Sequence, residues 1–475
     1  MNSPINCFAA FAVLLCLLAD TASAQENDRA EWQYQVPAGL RRIVDVGDGK
    51  WLLHFPNEAT AELEELNRTT EYIELRNVKN RNVQRLYADR GLSQKEGKGP
   101  FRKFTDGKWA APTNTNPSTD YRIRVVYFVP TDRQPLSRYE ERIRIQLSLM
   151  KEIMTLDLRS KGYATEGPQF ETKDGQIVVH LMRGEKTARE YNHLPVETSP
   201  EHTQAVFSEV DRRLGAPERN QTFIFAETYE NGPARHVWPG HVAVAIARPP
   251  RGGIGIFSAW ILRDEFCAPE LARQRQLFFD ETPIPGRKAI GHKGPNSPLN
   301  EFLEDGIGGA LHELAHMLGL THHGRGAVGS TNIMGQGFRN LRWNVGLRRN
   351  SRLQASFSRE SGWMLMTSRY LNPEVDRTDN VRPKANVTLE NKGTSIMVTV
   401  AASDDKQLSL LSMVEVTERD GRQLIEARRL SGTSATVRFR ITPSSVTSRD
   451  PKLQFILVDG GGNHQKVSRS LTDGR

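Results

Sequence analysis

The chain has 475 residues, of which 37% are hydrophobic and 25% are charged. This length exceeds what one ordinary hydrophobic core organises, so we expect about two to four domains, and the composition excludes a wholly disordered chain. The formal net charge is +8, but the basic residues are scattered and form no block interleaved with aromatic residues. This distribution favours a solvated basic surface and argues against specific nucleic-acid binding.

The first 24 residues differ from the rest of the chain. Residues 7–19, CFAAFAVLLCLLA, form an apolar run, and the small residues Ala22, Ser23 and Ala24 follow it. We interpret residues 1–24 as a secretory signal peptide, so that the mature protein is secreted, extracellular or periplasmic. A retained membrane anchor is the alternative, because no Lys or Arg precedes the run. After signal cleavage the sequence contains no transmembrane segment.

The cysteines are Cys7, Cys16 and Cys267. Cleavage of the signal peptide leaves Cys267 alone, so the exported chain forms no internal disulfide and relies on its cores and on metal for stability. We expect Cys267 to be a small buried hydrophobic residue and not a reactive thiol.

Residues 25–119 are predicted to form a small, mostly β N-terminal domain or a propeptide. The segments KWLLHF, EYIELRN and VQRLYAD match short strands separated by polar turns. A boundary follows in the polar stretch APTNTNPSTD, residues 111–120.

Residues 120–372 alternate between strand and helix patterns, which predicts an α/β domain. The segments that match strands are RIRVVYFVP, QIVVHLMR, QTFIFAET, HVAVAIAR and IGIFSAWIL. Ser137 and Glu140 have the spacing of a capping box at the start of a long helix. A Ser-Pro pair at 199–200 opens a second helix, which Gly215 stops.

Another Ser-Pro pair, at 297–298, opens the helix that contains most of the clustered histidines. The final helix of the domain is predicted over residues 352–371, RLQASFSRESGWMLMTSRYL. Residues 373–385 are predicted to be a linker. Residues 386–475 alternate apolar and polar positions between Gly or Asp turns, which predicts a C-terminal β-sandwich. We interpret DGGGN, residues 459–463, as a turn and not as a calcium loop.

The stretch GGALHELAHMLGLTHHGRG contains four histidines within twelve positions. His312 and His316 lie one helical turn apart on the same face, as two imidazoles must to share an ion. Gly319 can adopt a left-handed conformation that ends the helix, after which His322 can return as a third ligand. Three neutral imidazoles and an open fourth position are typical of a catalytic zinc site, and Glu313 beside them is a candidate general base.

The order His312, Glu313, His316, Gly319, His322 resembles the metzincin signature H-E-x-x-H-x-x-G-x-x-H. In the metzincin family a Met-turn follows, and STNIMGQG supplies Met334 twelve residues after the third histidine. The resemblance covers about 250 residues, 120–372, and says nothing about the flanking domains.

The resemblance implies an α/β (α+β) metzincin-like zinc-protease domain with a twisted, mixed, five-stranded sheet and an active-site helix. It implies that His312, His316 and His322 bind one Zn²⁺ above an apolar floor formed by Met334. It also implies an edge strand, VAVAIAR or GIGIFSAW, that pairs with an extended substrate.

The sequence departs from the family pattern at several positions. Several branches have Tyr two residues after the Met, where this chain has Gln336. The residue after the third ligand, His323, is interpreted as an exposed loop histidine, with a second-shell or ligand role as the alternative. In some relatives a cysteine of the propeptide binds the zinc ion, but residues 25–119 contain no cysteine. If this segment inhibits the enzyme, Asp48 and Asp106 are weak candidates for that role.

Three further histidines are His236, His241 and His292. We interpret them as unligated loop residues, with a second metal site as the alternative.

These features predict a secreted zinc-dependent metalloendopeptidase that acts on protein or peptide substrates, with Glu313 as general base. One alternative is a non-proteolytic binding or adhesion protein on a metzincin scaffold, with its C-terminal domain in contact with matrix or glycan. The other is a zinc hydrolase of a non-peptide bond, because HExxH specifies the metal and the base but not the substrate.

Overall fold

The computed structural model describes residues 31–109 and 121–471, apart from short segments at 38, 48, 56–59, 70, 192–199, 216–219, 230–242, 290–295, 324–328, 347–349, 351, 418–420, 443–445 and 447–451. The chain divides into two compact units, residues 1–119 and 120–475. In the part that the structure describes, no helix is long and apolar enough to cross a membrane. The predicted signal peptide, residues 1–24, lies outside the described residues.

The first unit is an antiparallel sheet in the order β8-β7-β6-β5-β4-β3-β2-β1-β9. Its described strands are β1 Glu31–Val36, β2 Gly39–Gly47, β3 Lys50–His54, β4 Thr60–Arg68, β5 Ile73–Asn77, β6 Val83–Leu86, β7 Arg90–Gln94, β8 Arg102–Asp106 and β9 Lys108–Trp109. Only Gly107 separates β8 from β9, although these strands lie at opposite edges of the sheet. The edges therefore meet, and the rings of Trp32 on β1 and Phe104 on β8 lie 6.3 Å apart. The sheet curls into a barrel around an aromatic-rich core.

The second unit begins with a five-stranded sheet, counted over its described residues, in the order β13-β10-β14-β16-β15. The strands are β10 Ile123–Val129, β13 Val179–Arg183, β14 Gln221–Ala226, β15 Ala243–Arg248 and β16 Gly252–Ser258, and a small hairpin adds β11 Thr172–Lys173 and β12 Gln176–Ile177. Only β15 is antiparallel to its neighbour. Of the two segments expected at the edge, VAVAIAR contains the edge strand, whereas GIGIFSAW contains the interior strand β16.

The helices of the described residues are α1 Tyr139–Ser160, α2 Ala188–Tyr191, α3 Pro200–Leu214, α4 Leu271–Leu277, α5 Leu299–Met317 and α6 Arg359–Leu365, with 3-10 turns at Lys95–Gly97, Ala259–Leu262 and Gly337–Trp343. Successive residues of β10 point to opposite faces of the sheet, so that Val126 packs with α3 and Val125 packs with α1 and α5. Helices therefore cover both faces, which is why the interior strands β10, β14 and β16 are buried along nearly their whole length.

The predicted capping box at Ser137 and Glu140 is wrong. Helix α1 begins one residue after Arg138, which has a φ of 55° and no side-chain cap hydrogen bond. The backbone N–H of Leu136 donates to the hydroxyl of Tyr127 at 3.0 Å. This contact with the sheet fixes the loop before the helix and leaves Ser137 outside the capping position.

The predicted final helix over 352–371 is also too long, because only α6, Arg359–Leu365, is α-helical. Ser356 instead forms an extended bridge with Asn332, and Ser358 caps the helix by accepting the N–H of Ser361 at 3.0 Å. Backbone pairing with a distant segment therefore overrides the local helical pattern.

Strands within the described part of residues 384–470 form two sheets, β17-β18-β21 and β20-β19-β22-β23. Their bounds are β17 Lys384–Asn391, β18 Ile396–Ser403, β19 Leu408–Thr417, β20 Gly421–Arg429, β21 Ser434–Ile441, β22 Lys452–Asp459 and β23 His464–Ser470. The sheets enclose a common core with Val398, Leu411, Phe439 and Phe455, so the arrangement is a β-sandwich.

The other face of the four-stranded sheet packs against the α/β part of the same unit. Along β19 and β22, residues that face the sandwich core alternate with residues that face the α/β part. The second group includes Leu410, Val414 and Ile456, which belong to the hydrophobic core that includes α1 and α5. The side chain of Arg369 is fully buried at this junction. Its Nε donates to the carbonyl of Gly461 at 2.7 Å, and its guanidinium also donates to the hydroxyl of Tyr121 and the carbonyl of Asp379.

Replacement of Arg369 by Met should lower the free energy of unfolding by about 2–4 kcal/mol, because it leaves buried acceptors without donors. Denaturant unfolding followed by tryptophan fluorescence measures the change. Arg382→Met removes an exposed arginine of the same region and serves as the control. Equal stability of the two variants would show that the buried guanidinium does not hold the junction.

Candidate metal centre

Three histidines converge beside the C-terminal end of α5. The ring centroids of His312 and His316 lie 4.5 Å apart, and the ring of His322 lies 5.3 Å and 4.6 Å from them. One ligand nitrogen from each histidine lies within 4.8 Å of the other two. The structure therefore brings together the three residues that the sequence marks as metal ligands.

The turn after α5 returns the chain toward the helix. The helix ends at Met317, and Gly319 has a φ of 108°, a conformation that residues with a Cβ rarely adopt. The N–H of Leu320 donates to the carbonyl of Ala315 at 3.1 Å, which closes the turn. The third histidine follows two residues later.

Strand β20 of the sandwich fixes the backbone of His322. The N–H of His322 donates to the carbonyl of Arg422 at 2.9 Å, and the N–H of Leu424 donates to the carbonyl of His322 at 2.8 Å. These bonds form a parallel bridge between His322 and Gln423. Sequence reasoning missed this contact, because backbone pairing between distant segments leaves no side-chain signature.

The hydrogen bonds of His312 and His316 orient both rings. Nδ1 of His312 lies 2.7 Å from the carbonyl of Ile333, and Nδ1 of His316 lies 2.8 Å from the carbonyl of Leu320. Because a carbonyl only accepts, both Nδ1 atoms carry hydrogen, and each neutral ring presents a lone pair at Nε2.

The two Nε2 atoms lie 3.0 Å apart. Two lone pairs at this distance repel unless a cation or a proton lies between them. Burial opposes protonation, because it lowers the pKa of His312 to about 4 and holds the pKa of His316 well below its usual value. Zn–N bonds of about 2.0–2.1 Å separate tetrahedral nitrogens by about 3.3 Å. The donor set therefore fits a zinc ion.

Glu313 is partly buried next to the first histidine. Among the described residues, its carboxyl group has no hydrogen-bond or ion-pair partner. Burial raises the pKa of Glu313 to about 8. A neighbouring cation would favour the ionised form, so the carboxyl group is poised to exchange a proton.

The segment around Met334 lies close to the histidines. Met334 is fully buried, and its carbonyl accepts the N–H of His323 at 2.9 Å. The ring of Phe338 lies 5.3 Å from that of His312. A Cβ on Gly308 would lie only 2.1 Å from the carbonyl oxygen of Phe338, so glycine permits the close packing of this segment on α5.

Two buried carboxylates of α5 hold the 3-10 turn that follows Met334. Nε of Arg342 donates to Glu304 at 2.8 Å, and Nε of Arg339 donates to Asp305 at 2.7 Å. The sequence contained a signal for these pairs, because carboxylates on the apolar face of a helix require partners. The position of the family Tyr holds Gln336, which is exposed and bonded to Arg339.

The remaining candidates have different outcomes. His323 is partly buried and not exposed as expected, whereas Cys267 is buried as predicted. Asp106 pairs with Lys103 in the first unit. Asp48 and the histidines of the alternative second metal site, His236, His241 and His292, lie outside the described residues.

No family model and no curated protein matches the chain. Among solved structures, the chain is similar to OgpA from Akkermansia muciniphila. Two crystal forms of wild-type OgpA have TM-scores of 0.51 at 16% and 17% identity and cover 74% of this chain and 93% and 92% of theirs. A catalytically inactive OgpA in complex with an O-glycopeptide substrate, glycodrosocin, has a TM-score of 0.50 at 16% identity, over 74% of this chain and 92% of its own. At this identity the likeness concerns the mixed α/β fold.

The chain should bind one zinc ion, and His322→Ala should weaken binding more than about 100-fold, because loss of a second-shell contact alone weakens it 10–100-fold. Competition with a zinc chelator measures the affinity, and circular dichroism verifies folding. His323→Ala is the matched control and should retain parental affinity. An equal loss in the control would place His323 among the ligands.

Proposed function

We propose that this protein is an exported zinc metalloendopeptidase of the metzincin type. The observation that supports the proposal best is the convergence of His312, His316 and His322 next to Glu313, whose carboxyl group has no partner among the described residues. The fold likeness to OgpA, which was crystallised with an O-glycopeptide substrate, supports a peptidase at the level of fold.

In the proposed mechanism, His312, His316 and His322 would hold the ion through their imidazole nitrogens. When bound, zinc supplies a Lewis acid that lowers the pKa of a water molecule and polarises the scissile carbonyl. The carbonyls of Ile333 and Leu320 keep the Nδ1 hydrogens of two ligands in place, so that their Nε2 lone pairs stay directed at one position.

Glu313 transfers the proton. Its carboxylate accepts a proton from the attacking water as the new C–O bond forms, and it returns that proton to the amine as the C–N bond breaks. Partial burial and the lack of a competing hydrogen-bond partner among the described residues leave both oxygens available for this exchange.

The substrate-binding surface that we propose is the edge of β15. This strand packs against α5 and, in the described residues, pairs on one side only. Val244 and Ile246 are each 40% exposed on it. An unpaired edge next to the candidate metal centre allows an extended peptide to add as a further strand, with backbone hydrogen bonds for affinity and side-chain pockets for specificity.

Replacement of Glu313 by Gln should lower kcat/KM on an unfolded protein substrate by about 10²–10⁴-fold and leave the zinc content unchanged, because the amide cannot accept the proton. Mass spectrometry of the fragments and metal analysis provide the two readouts. Glu166→Gln, which alters an exposed carboxylate, is the control and should cleave like the parent.

Retained cleavage by the Glu313→Gln variant would exclude this residue as the base. If the parent binds zinc but cleaves no peptide, the result would favour one of the two alternatives, a non-proteolytic binding protein or a zinc hydrolase of a non-peptide bond.

The OgpA complex makes O-glycosylated peptides the substrate class to test first. Two synthetic peptides of one sequence, with and without a single O-linked glycan, should differ by about tenfold or more in kcat/KM in favour of the glycopeptide, if the site contacts the sugar. Chromatography of the products measures both rates. Equal rates would leave a peptidase that does not recognise the glycan.

A further inference from the structure

Three carboxylates from distant parts of the chain meet at the junction between the α/β part and the sandwich. Asp379 lies between α6 and β17, Asp404 lies in the turn between β18 and β19, and Asp459 ends β22. One oxygen of each carboxylate lies within 4.8 Å of the other two. The group is separate from the histidines and contains only oxygen donors.

Two of these carboxylates have a buried oxygen without a partner. Asp379 is 2% exposed, and its Oδ1 accepts the N–H of Val381 at 3.0 Å. Its Oδ2, like Oδ2 of Asp404, is buried and has no hydrogen-bond partner among the described residues. A buried carboxylate oxygen without a partner carries a large desolvation penalty, so each requires a donor or a cation.

One neighbouring cation, Lys406, acts on the cluster from a distance: burial raises the pKa of Asp379, and the charge of Lys406 opposes that rise without a direct ion pair among the described residues. The fully buried Asp459 accepts only the backbone N–H and side-chain amide of Asn463, at 2.8 Å and 2.9 Å. Lys406 pairs with Asp376 at 2.9 Å. Within the described residues, no Lys, Arg or His forms an ion pair with the three carboxylates. Burial, with added repulsion from the other two carboxylates, raises the pKa of Asp459 to about 7.

We propose that Asp379, Asp404 and Asp459 bind a calcium ion. Carboxylate oxygens without nitrogen or sulfur donors select a hard cation, and three negative charges exceed what a monovalent ion balances. Ca–O bonds of about 2.3–2.6 Å span up to about 5 Å between opposite ligands, which accommodates the separation of these oxygens. Mg²⁺ usually keeps several of its waters, which a site of buried carboxylates does not favour.

The ion would join three segments that the sequence separates: the segment between α6 and β17, and two turns of the sandwich. The turn after Asp459 continues to His464, which lines a small cavity together with Met317 and Leu318 at the end of α5. Calcium would therefore stabilise the junction on which the turn after the active-site helix rests. This role is independent of catalysis.

Thermal unfolding of the full exported chain tests the proposal. The Glu313→Gln variant prevents self-cleavage, and zinc is kept constant while calcium is varied. Calcium at about 100 times its dissociation constant should raise the Tm by about 5 °C. Asp379→Asn combined with Asp404→Asn should abolish the rise, and calorimetric titration of calcium should lose its one-site binding curve.

Asp405→Asn is the matched control, since it removes an exposed carboxylate of the same turn, and should keep the full rise. Without calcium, the double variant should be at least as stable as the parent, because it relieves repulsion among buried charges. A parent Tm that calcium leaves unchanged, or a rise that persists in the double variant, would overturn the calcium site.

Discussion

The candidate metal centre depends on one electrostatic constraint, which is that two buried imidazoles direct lone pairs at each other across 3.0 Å. Each ring keeps this orientation because a backbone carbonyl holds its Nδ1. One carbonyl, of Leu320, comes from the turn after α5, and the other, of Ile333, comes from the segment before Met334. Both segments therefore have to be folded before the Nε2 atoms of His312 and His316 point at the same cation position.

The same constraint extends to the C-terminal sandwich. Both the N–H and the carbonyl of His322 are hydrogen-bonded to β20. The four-stranded sheet that contains β20 shares a hydrophobic core with α5. A third imidazole on an otherwise free loop would lose conformational entropy on binding a metal, whereas a paired backbone has already lost it. The sandwich thus contributes to the metal centre by fixing the position of His322, although none of the three histidines belongs to the sandwich itself.

The parts of the fold and of the metal centre that could be predicted from the sequence are those that depend on the spacing of residues within one element. Alternation of apolar and polar residues predicted the strands, and the helical repeat placed His312 and His316 on one face, because both patterns arise within a single element. The prediction of a helix over 352–371 failed where Ser356 pairs with Asn332, and the capping box failed where Tyr127 holds the preceding loop. In each case a contact between distant segments outweighed a local preference of about 1 kcal/mol.

The two proposed cation sites differ in the same way, because the ligands of one are close together in the sequence and those of the other are far apart. The nitrogen donors come mainly from one helix and the turn after it, so their spacing is a recognisable motif. The oxygen donors come from two loops and from the last residue of β22. The segment DGGGN by itself resembles a turn, and the N–H of Asn463 does close that turn by donating to Asp459. Contacts between distant residues bring the segment of Asp379 against that turn: Arg369 donates to the carbonyls of Gly461 and Asp379, and the side-chain amide of Asn463 donates to the carbonyls of Asp379 and Val381. Among the described residues the cysteine is the free, buried Cys267, so no disulfide holds this junction there, and the cation that we propose would crosslink remote segments in its place.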